Sequence, residues 1–520
     1  MTTPTGHCAQ FVASFLLADA QGGARPASAS LAPWCLFQLG RAFGIRTAIS
    51  KKLTFYQRMP MAKYHDQDLE NSPAFKALRR YVEDRRSKAP KSGAIAFEEH
   101  EKEIAHLVSA LGAEILADDL QHLDVDSEQV TVEGVEYRVA LECEQTYFGQ
   151  LGPMRVLRHL YRPRGGGRTI CPLELRAGIV EGAWTPRAAR LMALMVAEIP
   201  PSDVERLLGE IGGLVPSASS LDRLPKDLSG RWEDNHLQWE EALRLQDTIP
   251  AKAVTMAVSI DGVHAPMRKP KDAPKEASAY KEASCGTVTF LDKDAEPLKT
   301  IRYGRMPEKK KKTLKAQLRA EHDWALAQRP DLRVAKVADG APDNWSFLGD
   351  LSSDGPEILD FYHAATHLKT SADAVHGAET VESRALFESW KTTLKEDPTG
   401  ADKVIRAITY RRDEATGKGK TTLARELEYF RTMRNGMEYQ VYKAAGYPIG
   451  SGMVEAACKT LVSERLKQSG MRWTLRGGQG ILNLRSVIQS GRFESAWRLL
   501  VGSYEKKVQV YPDQALRATA

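Results

Sequence analysis

Three acids set far apart in the chain, Asp261, Asp339 and Glu455, stand where secondary-structure elements should end. Asp261 follows the apolar run Val254-Thr255-Met256-Ala257-Val258-Ser259-Ile260 and precedes Gly262, so its carboxylate is expected at a strand end, where open sheets gather their ligands. Asp339 repeats the design: Arg333-Val334-Ala335-Lys336-Val337-Ala338 leads into Asp339-Gly340-Ala341-Pro342, a strand stopping at an acid with a turn behind it. Glu455 lies in Gly450-Ser451-Gly452-Met453-Val454-Glu455-Ala456-Ala457-Cys458-Lys459, a glycine-rich turn opening a helix whose face would aim it at the aspartates. Carboxylates brought together without thiolates suit hard, oxygen-preferring Mg²⁺ or Mn²⁺. Two such ions serve phosphodiester transfer, where an attacking oxygen must be deprotonated and a leaving oxygen's charge neutralised. Three carboxylates meeting alone would repel one another, and the relief of that repulsion becomes metal-binding energy.

A lone Asp-Gly is common turn punctuation; the joint placement singles these acids out. Between Asp339 and Glu455 lies Asp360-Phe361-Tyr362-His363. On one reading Asp360 caps a helix and His363 packs one turn in; on the other both support the metal ligands from behind.

The elements that must carry these residues follow from periodicity. From Val254 the order is strand to Asp261, strand Gly286 to Leu291, strand Leu298 to Tyr303, helix Thr313 to Gln328 and strand Arg333 to Val337. A short helix near Trp345, a strand Glu357 to Asp360 and further helices follow. Three antiparallel strands and then alternating helix and strand is the ribonuclease-H-like order. Asp339 and Glu455 are 116 positions apart, whereas one strand and one or two helices need about 40 residues, leaving about 75 in surplus. These read as helices, Val381 to Lys395, Lys403 to Arg411 and Thr421 to Met433, so an all-helical domain is expected to interrupt the α/β fold. Gly417-Lys418-Gly419-Lys420-Thr421-Thr422 lacks the first glycine of a phosphate loop and reads as a polar loop. Lys309-Lys310-Lys311-Lys312 reads as a charged helix start facing water or a track for a nucleic-acid backbone.

Upstream, helical spacing runs from Ser72 to Arg86 and from Phe97 to Ala117, and short β-like runs lie between Glu128 and Cys171. Thr185-Pro186 and Ser202-Asp203 start helices, Gly212-Gly213 ends the second, and Val215 to Arg223 opens a third. Helix, glycine turn, helix is a layout whose second helix enters the DNA major groove, which makes Ser217, Ser219, Ser220 and Arg223 candidate DNA contacts; a plain three-helix core looks alike. Past Glu455, Lys459, Arg465, Lys467 and Arg472 would meet phosphates, with Trp473 either stacking on a base or packing as core.

At 520 residues the chain has room for about three or four domains. Its 73 basic and 67 acidic residues leave a mild net charge of +6, which permits a polyanionic partner without requiring one. The six cysteines have no paired short spacing, which argues against a zinc ribbon or a disulfide framework and for a reducing cytosol. No apolar run approaches the roughly 20 residues of a membrane helix, and Phe11 to Ala20 makes a poor signal peptide. A cytoplasmic, nucleoid-associated protein without membrane contact or small-molecule cofactor is expected. Met59 or Met61 is an alternative start, a hypothesis that peptides from before Met59 in natively expressed protein would refute.

The three acids, Asp360-x-x-His363 and Tyr447-Pro448-Ile449-Gly450-Ser451-Gly452-Met453-Val454-Glu455 together resemble the bacterial insertion-sequence DDE transposases, ISKra-type branch, from about Pro172 to Ser490. The block from Gly450 to Lys459 and Met437-Glu438-Tyr439 are the most specific parts. The resemblance implies a ribonuclease-H-like catalytic domain with an inserted helical domain, and a catalytic triad of Asp261, Asp339 and Glu455. It also implies that Asp360 and His363 match the acid-x-x-His feature of Mutator-like and hAT-like enzymes. Relatives pictured with a cysteine-bearing β module have only Cys143 and Cys171 to match here, too few for zinc.

The expected activity is binding of terminal inverted repeats, metal-dependent hydrolysis at each end and joining of the freed 3′-OH to target DNA, with at least a dimer on DNA. In that scheme Asp261 and Asp339 bridge two Mg²⁺ or Mn²⁺ ions and Glu455 completes one. The alternatives are a structure-specific nuclease of the same fold or a catalytically silent DNA-binding derivative. The expected domains are a poorly defined extension at 1–60, a helical region at 61–127 and a small β-rich module at 128–172. A helix-turn-helix-like DNA-binding domain at 173–229, a connecting helix at 230–253 and the catalytic domain's first part at 254–370 follow. The helical insertion occupies 371–446, the second catalytic part 447–490, and a C-terminal tail 491–520.

Overall fold

The computed structural model describes residues 71–88, 96–269 and 279–510. The chain divides into two compact units, Met1–Asp68 and Leu69–Ala520. The first, with the expected extension and both alternative start methionines, lies outside the described residues, as does the tail beyond residue 510.

Two amphipathic helices open the second unit, α1 (Pro73–Lys88) and α2 (Phe97–Gln121). Then comes an antiparallel hairpin ladder, β1 (Gln129–Val132), β2 (Val135–Gly149) and β3 (Gly152–Pro163). Short helix α3 (Pro172–Ala177) leads to α4 (Pro186–Glu198), capped by Thr185 with Pro186 at its first position, and to α5 (Pro201–Ile211). Gly212 and Gly213 end α5 as expected. The third helix does not stop: α6 runs unbroken from Ala218 to Gln246 with Pro225 inside. The expected break at Gly230 and the separate connecting helix are therefore not observed. Leu221, Leu224, Leu228, Trp232, Trp239 and Leu243 recur at helical spacing along α6 and bury one continuous stripe, which leaves no reason to break.

The second sheet contains β4 (Thr255–Pro266), β5 (Tyr280–Leu291), β6 (Pro297–Arg305), then, after α7 (Lys312–Gln328), β7 (Arg333–Ala338), and after α8 (Pro342–Gly349), β8 (Glu357–Leu359). Their spatial order is β6-β5-β4-β7-β8. The first three pair antiparallel and the last two parallel, as the order of runs in the sequence predicted. Alternation along β4 and β7 sends Met256, Val258, Ile260, Val334 and Ala338 to the α7–α8 side, and Ala257, Ala335 and Val337 to the opposite side. That opposite side is covered by the helical block α9 (Phe361–His376), α10 (Val381–Glu396), α11 (Gly400–Glu414), α12 (Gly417–Thr432) and α13 (Tyr439–Ala444). Gly417 to Thr422 is the first turn of α12 and not the loop expected from its glycines and lysines.

After α14 (Gly452–Ala457), a π-helical segment Cys458–Ser463 and a last turn Glu464–Leu466 come α15 (Leu475–Gln489) and α16 (Phe493–Gly502). Strand β6 is an edge, and α15 covers it with side chains. Ser490 Oγ, Ser486 Oγ and Gln479 Oε1 accept from the alternate N–H groups of Arg302, Gly304 and Met306 at 2.8, 3.1 and 2.9 Å. An edge that would otherwise template pairing with another chain is thus satisfied within the fold.

Residues 491–510 are not a tail. Trp497 and Leu500 of α16 join the core formed by α4, α5 and α6, and β9 (Val508–Val510) pairs with β1. Arg492 donates to both oxygens of buried Glu321 at 2.6 and 2.9 Å and to Asp247 at 2.8 Å. Among the described residues no helix is long and apolar enough to cross a membrane, and Cys143, Cys171, Cys285 and Cys458 are free thiols.

Candidate active site

Ser259 of β4 pairs in parallel register with Val337 of β7. Asp261 lies two residues beyond Ser259 within β4, and Asp339 two beyond Val337, one residue past the end of β7. Asp261 continues the alternation of Ala257, toward the side covered by the α9–α13 block. Asp261 is not at a strand end as expected: β4 continues through it to Pro266, pairing Asp261 with Cys285 and Pro266 with Tyr280. The parallel pairing with β7 ends before it, at Ser259 and Val337, and the chain beyond β7 turns at Gly340, where φ is +89°. Gly262 leaves room for a neighbouring side chain. A Cβ there would meet Glu282 Oε1 at 2.2 Å, so the carboxylate of Glu282 lies against the backbone next to Asp261.

Each aspartate is held locally. Asp261 Oδ1 accepts from Gly262 N at 2.6 Å. Asp339 Oδ1 accepts from Ala341 N and from Asn344 Nδ2, both at 3.1 Å. Burial pushes the Asp261 carboxyl up, and the negative charge of Asp339 adds to it, against the opposing effects of the Gly262 hydrogen bond and the Lys311 cation.

Glu455 reaches this region from α14. Val454, Ala457 and Cys458 pack with Ala265, Ala283 and Cys285 of the β4–β5 hairpin, and the Cys458 thiol donates to Asp261 Oδ2 at 3.6 Å. Glu455 is three residues before Cys458, on the same helix face, and accepts from Ser451 Oγ at 3.3 Å. Its carboxyl is raised by partial burial first, then by Asp360 and, more weakly, by Asp261. The turn to π-helix directly after it, at Cys458, is a feature frequent at functional sites.

Asp360 is fully buried and caps α9, its Oδ1 accepting from His363 N at 2.6 Å. Its other oxygen accepts from Ser451 N, in the turn that starts α14. Phe361 N donates to Ile449 O at 2.9 Å beside it. Asp360 is therefore the capping residue of one sequence reading, and its second oxygen ties the end of β8 to the turn before the helix of Glu455. The His363 ring packs edge-on to His367 at 5.1 Å. His367 in turn stacks on Tyr429 at 3.7 Å and meets Glu426 at 2.6 Å.

Asp261 and Asp339 are brought together and Glu455 is brought near. Among the described residues, however, no group of three or more His, Cys, Asp or Glu side chains stands close enough to hold a metal ion. Carboxylate oxygens are the donors that hard divalent cations prefer, but the described side chains do not gather three of them around one point; burial and neighbouring negative charge push Asp261 and Glu455 up.

The expected DNA contacts separate into two groups. Lys459, Lys467 and Arg472 are exposed. Arg465 is not: it is 1% exposed, donates through Nε and Nη2 to Val196 O at 3.2 and 3.1 Å, and carries no surface charge toward a partner. Trp473 donates to Leu466 O at 2.9 Å and packs against the hairpin core, the core alternative read from the sequence. In α6, Ser217 is the N-cap accepting from Ser220 N, Ser220 is buried, and Arg223 pairs with Glu181 at 2.9 Å. Ser219 is exposed beside them.

Several residues escaped the sequence reading. Asn344, Lys311 and Glu282 surround the two aspartates through contacts between distant segments, which no local pattern announces. His367 had a signal, four residues after His363 on one helical face. The Tyr429 hydroxyl is buried without a partner beside Gly340, and burial followed by the charges of Asp339 and Asp360 pushes its phenol up.

No protein-family model matches the chain, and no curated protein matches it. Among solved structures it is similar to the Drosophila P element transposase strand transfer complex, at 12% identity and a TM-score of 0.24, over 66% of this chain and 85% of that one. A likeness at that level carries no argument about activity.

Proposed function

We propose that this chain is a DNA transposase of the DDE type, with Asp261, Asp339 and Glu455 as its catalytic carboxylates. The observation that carries the reading is that Asp261 and Asp339 each lie two residues beyond the last registered pair, Ser259 and Val337, of the adjacent parallel strands β4 and β7, with the Glu455 helix packed over the β4–β5 hairpin. The strand order β6-β5-β4-β7-β8 supports a ribonuclease-H-like catalytic domain, 254–370 with 447–490. On this reading the helices of 371–446 are its insertion.

Two Mg²⁺ or Mn²⁺ ions held by the three acids would supply an activated attacking oxygen and charge neutralisation at the leaving oxygen. The protein's own part is placement. Asn344 and the Ala341 and Gly262 amides hold the aspartate oxygens, and Asp360 anchors the turn that presents Glu455. Lys459, Lys467 and Arg472, with Ser219 and Arg223 at the start of α6, are the exposed groups that would meet phosphates of element ends and target. A dimer or larger assembly on DNA, pairing two ends, belongs to the same proposal.

The test is cleavage and joining of labelled element ends by purified protein with Mg²⁺ or Mn²⁺. Asp261→Asn and Glu455→Gln are expected to abolish cleavage and leave end binding intact; retained cleavage in either variant refutes the assignment. Cleavage without joining would make the chain a nuclease of this fold. End binding without cleavage by the parent would make it a silent derivative.

A further inference from the structure

Tyr362 stands in the first turn of α9 and is 65% exposed, yet its ring is held in place. The Cδ2 and Cε2 side lies against Gly450, where an added Cβ would meet those atoms at 3.3 and 3.2 Å. Its ring and that of Phe361 meet edge-on, with centroids 5.6 Å apart. The two segments are also laced together by backbone on either side of Gly450. Phe361 N donates to Ile449 O at 2.9 Å, and Ser451 N donates to Asp360. Ser451 Oγ in turn lies 3.3 Å from Glu455 Oε1. The aromatic ring and the Glu455 carboxylate are thus carried on one joint.

The surface beside this joint is open: Gly452, Glu455, Ala456 and Lys459 are all exposed. Close to the carboxylates of Glu455 and Asp360 a phosphate is repelled. The face of a nucleobase is uncharged, and every base offers one to an aromatic ring. Lys459, four residues past Glu455, supplies the cation for a phosphate farther along the strand.

We propose that Tyr362 is a positioning residue that stacks on an unpaired nucleobase next to the phosphodiester served by Glu455. The DNA strand is then held splayed at this site and not as intact duplex. The inference rests on the DNA-cleaving reading above.

The full chain, without metal, is titrated with a labelled oligothymidylate and with an oligothymidylate–oligoadenylate duplex of the same length, read by fluorescence anisotropy. A single strand carrying a fluorescent adenine analogue reports stacking directly by quenching. Tyr362→Leu keeps an apolar side chain and removes the π face, whereas Tyr362→Phe and Tyr362→Trp keep one. The Leu variant should bind the single strand about tenfold more weakly, the loss of one stacked base. It should bind duplex as the parent does and no longer quench the analogue, while the Phe and Trp variants should stay near the parent on all three. A purely structural tyrosine would weaken both DNAs together and leave quenching in proportion to binding. Parent-like single-strand binding and quenching in Tyr362→Leu, or an equal loss on both DNAs, overturns this inference alone. A parent chain that binds neither DNA overturns the DNA-cleaving reading and this inference with it. Should Tyr362→Leu fail to fold, Tyr362→Met, equally at home in a helix, decides.

Discussion

Replacing Asp360 probes the joint between the sheet and the helix of Glu455. Its carboxylate is fully buried and accepts two backbone hydrogen bonds, from His363 N at 2.6 Å and from Ser451 N. In Asp360→Asn one oxygen still caps α9, but the amide NH₂ is turned toward a second donor, leaving the buried Ser451 N–H without an acceptor. A buried donor left in that state costs about 1–3 kcal/mol, so the Asn variant should lose about 2 kcal/mol. Asp360→Ala forfeits the helix cap as well, about 1 kcal/mol more. Urea unfolding followed by tryptophan fluorescence reads both, and cleavage should fall in parallel as the Glu455 helix loses its anchor. Glu455→Gln is the control: the side chain is exposed, so stability should stay within about 0.5 kcal/mol while cleavage is lost. An Asp360→Asn protein that unfolds at the parent's urea midpoint would refute the argument.

Arg465→Met should remain within about 1 kcal/mol of the parent, because burial followed by repulsion from Arg485 already lowers this guanidinium's pKa to about 10 and an apolar replacement removes a buried charge. The same variant should leave the salt dependence of DNA binding unchanged. Lys467→Ala and Arg472→Ala should each reduce that slope by about 0.9; a comparable loss in Arg465→Met would contradict its inward placement. Burial acts to raise Asp247 and Glu233, but hydrogen bonds and charges from Lys299 and Arg492, and from Arg305 and Asn483, more than reverse it and hold both carboxyls below their usual range. A depressed acid contributes stability that is present above its unfolded pKa and lost as pH falls through its folded one. Urea midpoints should therefore drop below about pH 4, and Asp247→Asn with Glu233→Gln should flatten that drop.

Much of the scaffold is local in origin and so was legible in the chain. The run Val254 to Ile260 alternates onto two buried faces, and the run around Val334 does likewise, so these strands followed from the local pattern. Thr185-Pro186 and Gly212-Gly213 are start and stop signals made within a few residues. Asp339 and Glu455 were legible as positions in that pattern, one after a strand and one after a glycine turn. Boundaries set by distant packing were not. β4 runs past Asp261 because β5 extends its ladder to Tyr280; α6 runs past Gly230 because its apolar stripe finds a continuous core; residues 493–510 are ordered by segments that lie far earlier in the chain. The burial of Arg465, the pairing of Lys311 with Glu282 and the Asn344 bond to Ile260 O are likewise contacts across the fold. Sequence determines which residues can ionise, cap or alternate, because those properties belong to each residue and its neighbours. Which ionisable groups meet, and which are hidden, was decided only when distant segments packed, since burial and Coulomb interaction depend on distance in space.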